Sequence, residues 1–281
     1  MVLIVRKILK SLVLANINKS NIYWCLKINL RYLTMIKYVY ILGVEGCGHH
    51  GFFPAVVNLI ENSNPDRSIV YKRWKRLRNI FNEIWIDRNS ASYDKGVAEI
   101  DRLMKKLLTK AQSENGVIYI IEDKSFPSSS IRDARKGWNL VELFQLMQQY
   151  AEVYLIMLNR DPIASTFSHM NWDGGFRGHA KVITNALDYL SESLQIIGTE
   201  NFRSIAYEDL ESNSEKITEA LIKFIGLSYV NHSFVFQDFK TSIKNWRTSL
   251  NTEEKQWAMD LFYGDRSRKW QILSDDEHRL I

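Results

Sequence analysis

The chain has 281 residues, 46% of them hydrophobic and 25% charged, with 13 glycines and 4 prolines. That composition excludes a disordered or fibrous class and is enough to fill the core of one large α/β domain. The 37 Lys and Arg against 32 Asp and Glu leave a formal charge of +5, which mildly favours anionic ligands. With only Cys25 and Cys47, spacing offers neither a disulfide framework nor a cysteine-based zinc site.

Residues 1–35 read as an N-terminal extension and residues 36–281 as a single α/β domain. The apolar stretch Met1–Ile17 is interrupted by Arg6, Lys7 and Lys10. It therefore falls short of the roughly 18 to 20 uncharged residues that span a bilayer. A basic amphipathic lead, a signal anchor and a misplaced start all remain open, and with them a Golgi or other secretory membrane or the cytoplasm as location. Asn18 and Asn231 fit the glycosylation acceptor pattern, which is too short to prove secretion.

Tyr38–Val44 is expected to be the first strand and runs straight into Gly43-Val-Glu-Gly-Cys-Gly-His-His-Gly51. A helix is expected over Phe52–Ile60, with Pro54 suited to its first turn. A strand, a glycine-rich turn and a helix N-terminus together aim backbone N–H groups and partial positive charge at one point, where an anionic phosphate fits. Glycines that merely supply a tight turn are the bland alternative. The spacing of Gly43 and Gly48 is that of a phosphate loop, but His49 and His50 stand where Lys and Ser or Thr are needed to hold the β- and γ-phosphates and magnesium. A nucleoside-triphosphate kinase is therefore disfavoured. Phe53, six residues after Cys47, excludes a Cys-x5-Arg phosphatase loop. Adjacent histidines are not expected to face one way on a helix, so no metal is expected at 49 and 50. The cradle is assigned to Gly46, Cys47, Gly48, His49, His50 and Gly51, with the histidines as side-chain donors.

Next comes the run Lys72, Arg73, Lys75, Arg76 and Arg78, broken by Trp74 and Leu77; it reads as a solvated helix face or as a surface for an acidic glycan. A helix is expected over Tyr93–Gln112 and a strand over Val117–Ile121, ending in Ile121-Glu-Asp-Lys-Ser-Phe-Pro127. After a helix at Asn139–Tyr150, the strand Val153–Leu158 leads to Asn159-Arg-Asp-Pro-Ile-Ala-Ser-Thr-Phe-Ser168. Arg160 thus sits at a strand's carboxyl end, where ligands bind in open parallel sheets. Its bidentate fork and the Ser168 hydroxyl suit a phosphate, and a structural pair with a carboxylate is the alternative. Helices at Ala180–Ile197, Ser214–Ile225 and Asn251–Phe262 and a strand at Phe202–Ala206 complete the alternation. The fold class is α/β, a central parallel sheet of phosphate-loop type flanked by helices on both faces.

Arg160, Asp161, Pro162 and Ser168 resemble the 3′-phosphate motif of the sulfotransferases that use 3′-phosphoadenosine 5′-phosphosulfate (PAPS). Ile205-Ala-Tyr-Glu-Asp-Leu210 and Leu221-Ile-Lys-Phe-Ile-Gly-Leu227 resemble a strand ending and a helix ending of the same family, and together the likeness covers roughly residues 37–250. The first loop departs from the family: the usual [Lys/Arg]-[Ser/Thr]-Gly-[Ser/Thr]-[Ser/Thr] reads Gly46-Cys-Gly-His-His50 here. The resemblance implies sulfuryl transfer from PAPS as co-substrate to a hydroxyl or amine, without a metal. Carbohydrate-directed members carry Glu-Lys-[Ser/Thr]-Pro where this chain has Glu122 to Pro127, with one residue inserted before Lys124. That likeness, the Arg-Asp-Pro segment and the basic run at 72–78 favour a sugar chain such as an acidic glycan over a small phenol as acceptor, and no nucleic acid partner is expected. The Glu122 to Pro127 likeness implies Lys124 at the leaving group and Glu122 or a loop histidine, His49 first, as base, although a plain Glu122–Lys124 surface pair fits equally. The segment Lys244-Asn-Trp-Arg247 resembles the basic closing segment, with Trp246 stacking on adenine and Lys244 or Arg247 reaching the 3′-phosphate; a buried Trp anchor is the alternative. His169, Trp172, Arg177 and His179 are candidates for the acceptor cleft. A nucleotide kinase and a non-catalytic binder of adenosine bisphosphate remain the competing readings.

Overall fold

The computed structural model describes residues 35–63, 68–86, 90–126, 139–170, 174–198, 200–228, 246–273 and 279–280. Five parallel strands form one sheet in the order β2-β3-β1-β4-β5. Strand β1 (Ile36–Val44) is buried along its whole length, as an apolar run in the middle of a parallel sheet must be. It pairs with β3 (Val117–Phe126) on one side and β4 (Glu152–Asn159) on the other, and β2 (Ser68–Lys72) and β5 (Phe202–Ala206) form the edges.

Between the strands lie α1 (His49–Ser63), α2 (Lys75–Ile86), α3 (Ser90–Glu114), α4 (Leu140–Met147), α5 (Pro162–Ser168) and α6 (Phe176–Ile197). After β5 come α7 (Asp209–Ser212), α8 (Ser214–Ile225), α9 (Trp246–Ser249), α10 (Thr252–Tyr263) and a 3₁₀ helix, Asp265–Leu273. The period-2 alternation of β1 distributes the helices to both faces. Lys37 reaches the end of α8, donating to the Ile225 carbonyl at 2.5 Å. Tyr40, of the opposite parity, lies on the side of Tyr189 from α6. Local signals set the helix ends: the Asn139 side chain accepts from Glu142 N, the Asn251 side chain from Glu254 N, and Gly226 closes α8 at φ +66. No helix among the described residues is long and apolar enough to cross a membrane.

The expected strands and the α/β class are present, with three differences in detail. Strand β3 continues to Phe126, its Glu122–Phe126 half paired with Tyr40–Val44; the charges in that half end the apolar pattern but not the ladder. The edge strand β2 leads into the basic run without having been expected, and helix α2 lies where that run is read as a solvated helix face or a glycan surface. Residues 1–34, Trp172, Asn231 and Lys244 lie outside the described residues.

Candidate functional site

The carboxyl end of β1 turns through a loop that only glycine can make. Gly46 and Gly48 have φ of +81 and +90. A Cβ on Gly46 would meet the Ser165 carbonyl oxygen at 2.6 Å, and one on Gly48 would meet the Tyr207 ring at 2.3 Å. The loop is closed by Cys47 N donating to Val44 O at 3.1 Å and Gly51 N to Gly48 O at 3.1 Å, while Glu45 N ties it to Phe126 O of β3 at 2.6 Å. Helix α1 starts at His49. Among the described residues no partner takes the amide N–H of Gly48, His49 or His50. These amides and the start of a 15-residue helix gather N–H donors and partial positive charge at one point. Cys47 is buried beneath it, and burial pushes its thiol up to about 12, so it is no nucleophile.

Arg160 joins this loop from the end of β4. Its Nη1 donates to the Gly46 carbonyl at 2.6 Å and to Ser168 Oγ at 3.2 Å, and its guanidinium lies 4.6 Å from the centre of the Tyr207 ring. Gly46, Gly48, Arg160 and Ser168 are thus one cluster, with Tyr207 as the surface on which both the loop and the arginine rest. The residue beside Arg160 organises the rest of the edge. Asp161 caps α5 through Ile163 N (2.8 Å) and Ala164 N (3.3 Å), and accepts from Trp246 Nε1 (3.2 Å) and from the Tyr263 hydroxyl (3.0 Å). Trp246 is buried, and Arg247 lies 5.1 Å over its ring. The indole bond ties α9 to the Arg-Asp-Pro segment.

Glu122, expected as a candidate base, is buried. Its two oxygens are closed by Trp74 N (2.5 Å) and by Arg78 Nε. Burial pushes its carboxyl above the ordinary range, with Arg78 offsetting only part of this. The acid brought to the loop is Asp123, whose Oδ2 lies 3.9 Å from His49 Nε2. Asp123 accepts from Arg73 through Nε (2.8 Å) and Nη2 (2.6 Å) and from Arg78 Nη2 (2.8 Å). Burial works to raise its carboxyl, but the two guanidiniums outweigh it and hold it below the ordinary range. His49 is pushed down to about 4, first by burial and then by His50, with Asp123 offsetting only part. At neutral pH it is an uncharged imidazole, and its approach to Asp123 is not an ion pair. Lys124 is half-buried opposite Leu42, its amine lowered by burial and then by Arg78.

The basic run does not form one face. Arg73 and Arg78 turn inward to Glu122 and Asp123, Lys72 pairs with Glu61 at 2.7 Å, and Arg76 pairs with Glu99 at 2.5 Å. Nor do the adjacent histidines diverge: in the first turn of α1 their rings are 4.0 Å apart. His179 is buried against His169, ring centres 5.7 Å apart, while Arg177 pairs with Glu253 at 2.6 Å. Asp123, Tyr207 and Tyr263 are participants that the sequence did not assign. The inserted residue before Lys124 was the one signal for Asp123.

No protein-family model matches the chain, and no curated protein matches it. Among solved structures, the chain is similar to a sulfotransferase from Alicyclobacillus acidocaldarius, at 14% identity over 85% of this chain and 96% of that one, with a TM-score of 0.47. The sulfotransferase domain of the Synechococcus PCC 7002 olefin synthase gives 11% identity over 85% and 95%, TM-score 0.46. The sulfotransferase domain from the curacin biosynthetic pathway gives 11% over 86% and 98%, TM-score 0.45. At such identities and scores none of the three assigns an activity to this chain, which stands on its own side chains.

Proposed function

We propose that this chain transfers a sulfuryl group from PAPS to a hydroxyl acceptor. The observation that carries the reading is the hydrogen bond of Arg160 to the Gly46 carbonyl. It brings the arginine and serine of the Arg-Asp-Pro motif to the glycine loop, so one nucleotide with phosphates at both its 5′ and 3′ positions can be held at both ends. The amides of Gly48, His49 and His50 take the 5′-phosphosulfate, and Arg160 with Ser168 takes the 3′-phosphate.

In the transfer, the acceptor oxygen bonds to sulfur while the bond from sulfur to the bridging phosphate oxygen breaks. Adenosine 3′,5′-bisphosphate leaves with that electron pair, and the acceptor proton passes to solvent water at the mouth of the glycine loop. Lys124 is the cation offered to the leaving group. A glycan is the acceptor class favoured by the likeness of the Glu122 to Pro127 segment; the basic run, largely paired internally, adds no support.

The reading is tested by titrating adenosine 3′,5′-bisphosphate into the protein while following thermal unfolding, since a ligand of the folded state raises its apparent stability. A rise in melting temperature, followed by transfer of label from sulfur-labelled PAPS to a panel of glycan and alcohol acceptors, is expected. No shift at millimolar nucleotide removes the proposal, and a shift without transfer leaves a nucleotide-binding protein.

A further inference from the structure

We propose that His49, His50 and Asp123 form a binding site for a zinc-type divalent cation at the mouth of the glycine loop. One ligand atom from each of the three residues lies within 4.8 Å of the other two. His49 Nε2 and Asp123 Oδ2 are 3.9 Å apart, too far for a hydrogen bond. Two ligands bound at about 2.0–2.2 Å around a tetrahedral ion sit roughly 3.3–3.5 Å from each other, so closing on a metal requires a movement of about half an ångström. His50 is exposed, and one of its ring nitrogens already lies within 4.8 Å of the ligand atoms of the other two.

The surroundings suit the ligand set. Asp123 Oδ1 is filled by Arg73 Nε and Arg78 Nη2, whereas Oδ2 accepts Arg73 Nη2 and keeps a second acceptor direction on the side of His49. The guanidiniums therefore fix the carboxylate as outer partners do in metal sites. Two imidazoles and one carboxylate select zinc and its neighbours over magnesium or calcium, and leave one position open for water or a ligand oxygen. Arg73 and Arg78 are balanced by Asp123 and Glu122, so a bound cation makes the corner positive. On the nucleotide reading given above, on which this role but not the site itself rests, the ion supplies the charge that a loop lysine would otherwise bring.

The test is calorimetric titration of zinc chloride into tag-free, chelator-stripped protein near neutral pH, with cobalt(II) as a spectroscopic stand-in. One ion per chain and the intense visible absorption of four-coordinate cobalt are expected. His50→Ala should weaken zinc binding by about 10- to 100-fold while leaving the melting temperature of the metal-free protein unchanged. Failure to take up zinc, or equal uptake by the variant, overturns the proposal. Adenosine 3′,5′-bisphosphate titrated in excess chelator reports separately on the nucleotide reading: zinc uptake without nucleotide binding leaves the metal site standing and removes that reading.

Discussion

The Arg160 guanidinium donates to the Gly46 carbonyl across 2.6 Å, joining the glycine loop to the Arg-Asp-Pro segment 114 residues further along the chain. The same side chain reaches Ser168 and lies on Tyr207, so its position is fixed before any ligand arrives. Arg160→Ala should weaken binding of adenosine 3′,5′-bisphosphate by about 100-fold, close to 3 kcal/mol, the scale of a charge-assisted pair. Arg160→Lys keeps the charge without the fork and should lose about tenfold. Calorimetry on both variants, with thermal melts as a control for folding, measures this; wild-type affinity in Arg160→Ala would place the 3′-phosphate elsewhere.

Gly48 and Gly174 separate strain from collision. Both have positive φ, +90 and +84. A Cβ on Gly48 meets the Tyr207 ring at 2.3 Å, whereas one on Gly174 meets nothing within 4 Å. Gly174→Ala should therefore cost only the backbone penalty, about 1 kcal/mol, and leave nucleotide binding intact. Gly48→Ala adds overpacking and should cost about 2–4 kcal/mol, with loss of nucleotide affinity. Chemical denaturation of the pair gives the difference directly.

These contacts also show what could be read in advance. The apolar run of β1 entering a glycine loop, and an Arg-Asp-Pro at the end of a second apolar run, locate two parts of the site because each is a local pattern. The choice between Glu122 and Asp123 is not local. Adjacent acids point to opposite faces of a strand, and the register that pairs Ile41 with Asp123 decides which one meets α1. Nor does a run of basic residues reveal that Arg73 and Arg78 will find carboxylates 44 to 50 residues later in the chain. Trp246 reads equally as a stacking ring or a buried anchor in the sequence, since the partner of its indole, Asp161, is 85 residues away.

Glu122 has a structural assignment that can be told from a catalytic one. Its carboxylate is buried between Arg78 and the Trp74 amide. Glu122→Gln leaves Arg78 with an uncharged partner there and should lower stability by about 3 kcal/mol. Nucleotide affinity of the folded variant should stay within about twofold of wild type, because the side chain is turned toward Arg78 and Trp74 and not toward the loop. Denaturation and calorimetry on one preparation check both halves; unchanged stability with abolished turnover would return Glu122 to the role of base.

Trp246 allows a similar separation. Trp246→Phe removes the indole donor to Asp161, a 3.2 Å bond, and should cost about 1 kcal/mol. A side chain that only anchors α9 should leave nucleotide affinity within about twofold of wild type. An aromatic platform for the base would lose more than this, since stacking on a base contributes about 1–3 kcal/mol. Calorimetric titration of the variant decides between the two.

Lys37 supplies a prediction in pH. Its amine, on the opposite face from Tyr40, donates to the carbonyls of Ile225 (2.5 Å) and Gly226 (3.0 Å) at the end of α8, where a positive charge suits the helix dipole. Lys37→Met should therefore cost about 1–3 kcal/mol near neutral pH. Burial holds the amine below its ordinary value of 10.5, with Glu152 offsetting part of the shift. As pH climbs toward 10.5, the folded protein releases this proton before the unfolded chain does. At this site the unfolded chain then binds more protons, so the contribution of Lys37 to wild-type stability rises with pH in that window. The methionine variant has no proton to lose at this position. The stability difference between wild type and Lys37→Met should accordingly widen between neutral pH and about pH 9.5, as read from urea denaturation at each pH. A constant difference would mean that the amine titrates alike in the folded and unfolded chains and that α8, not the charge, bears the cost of its burial.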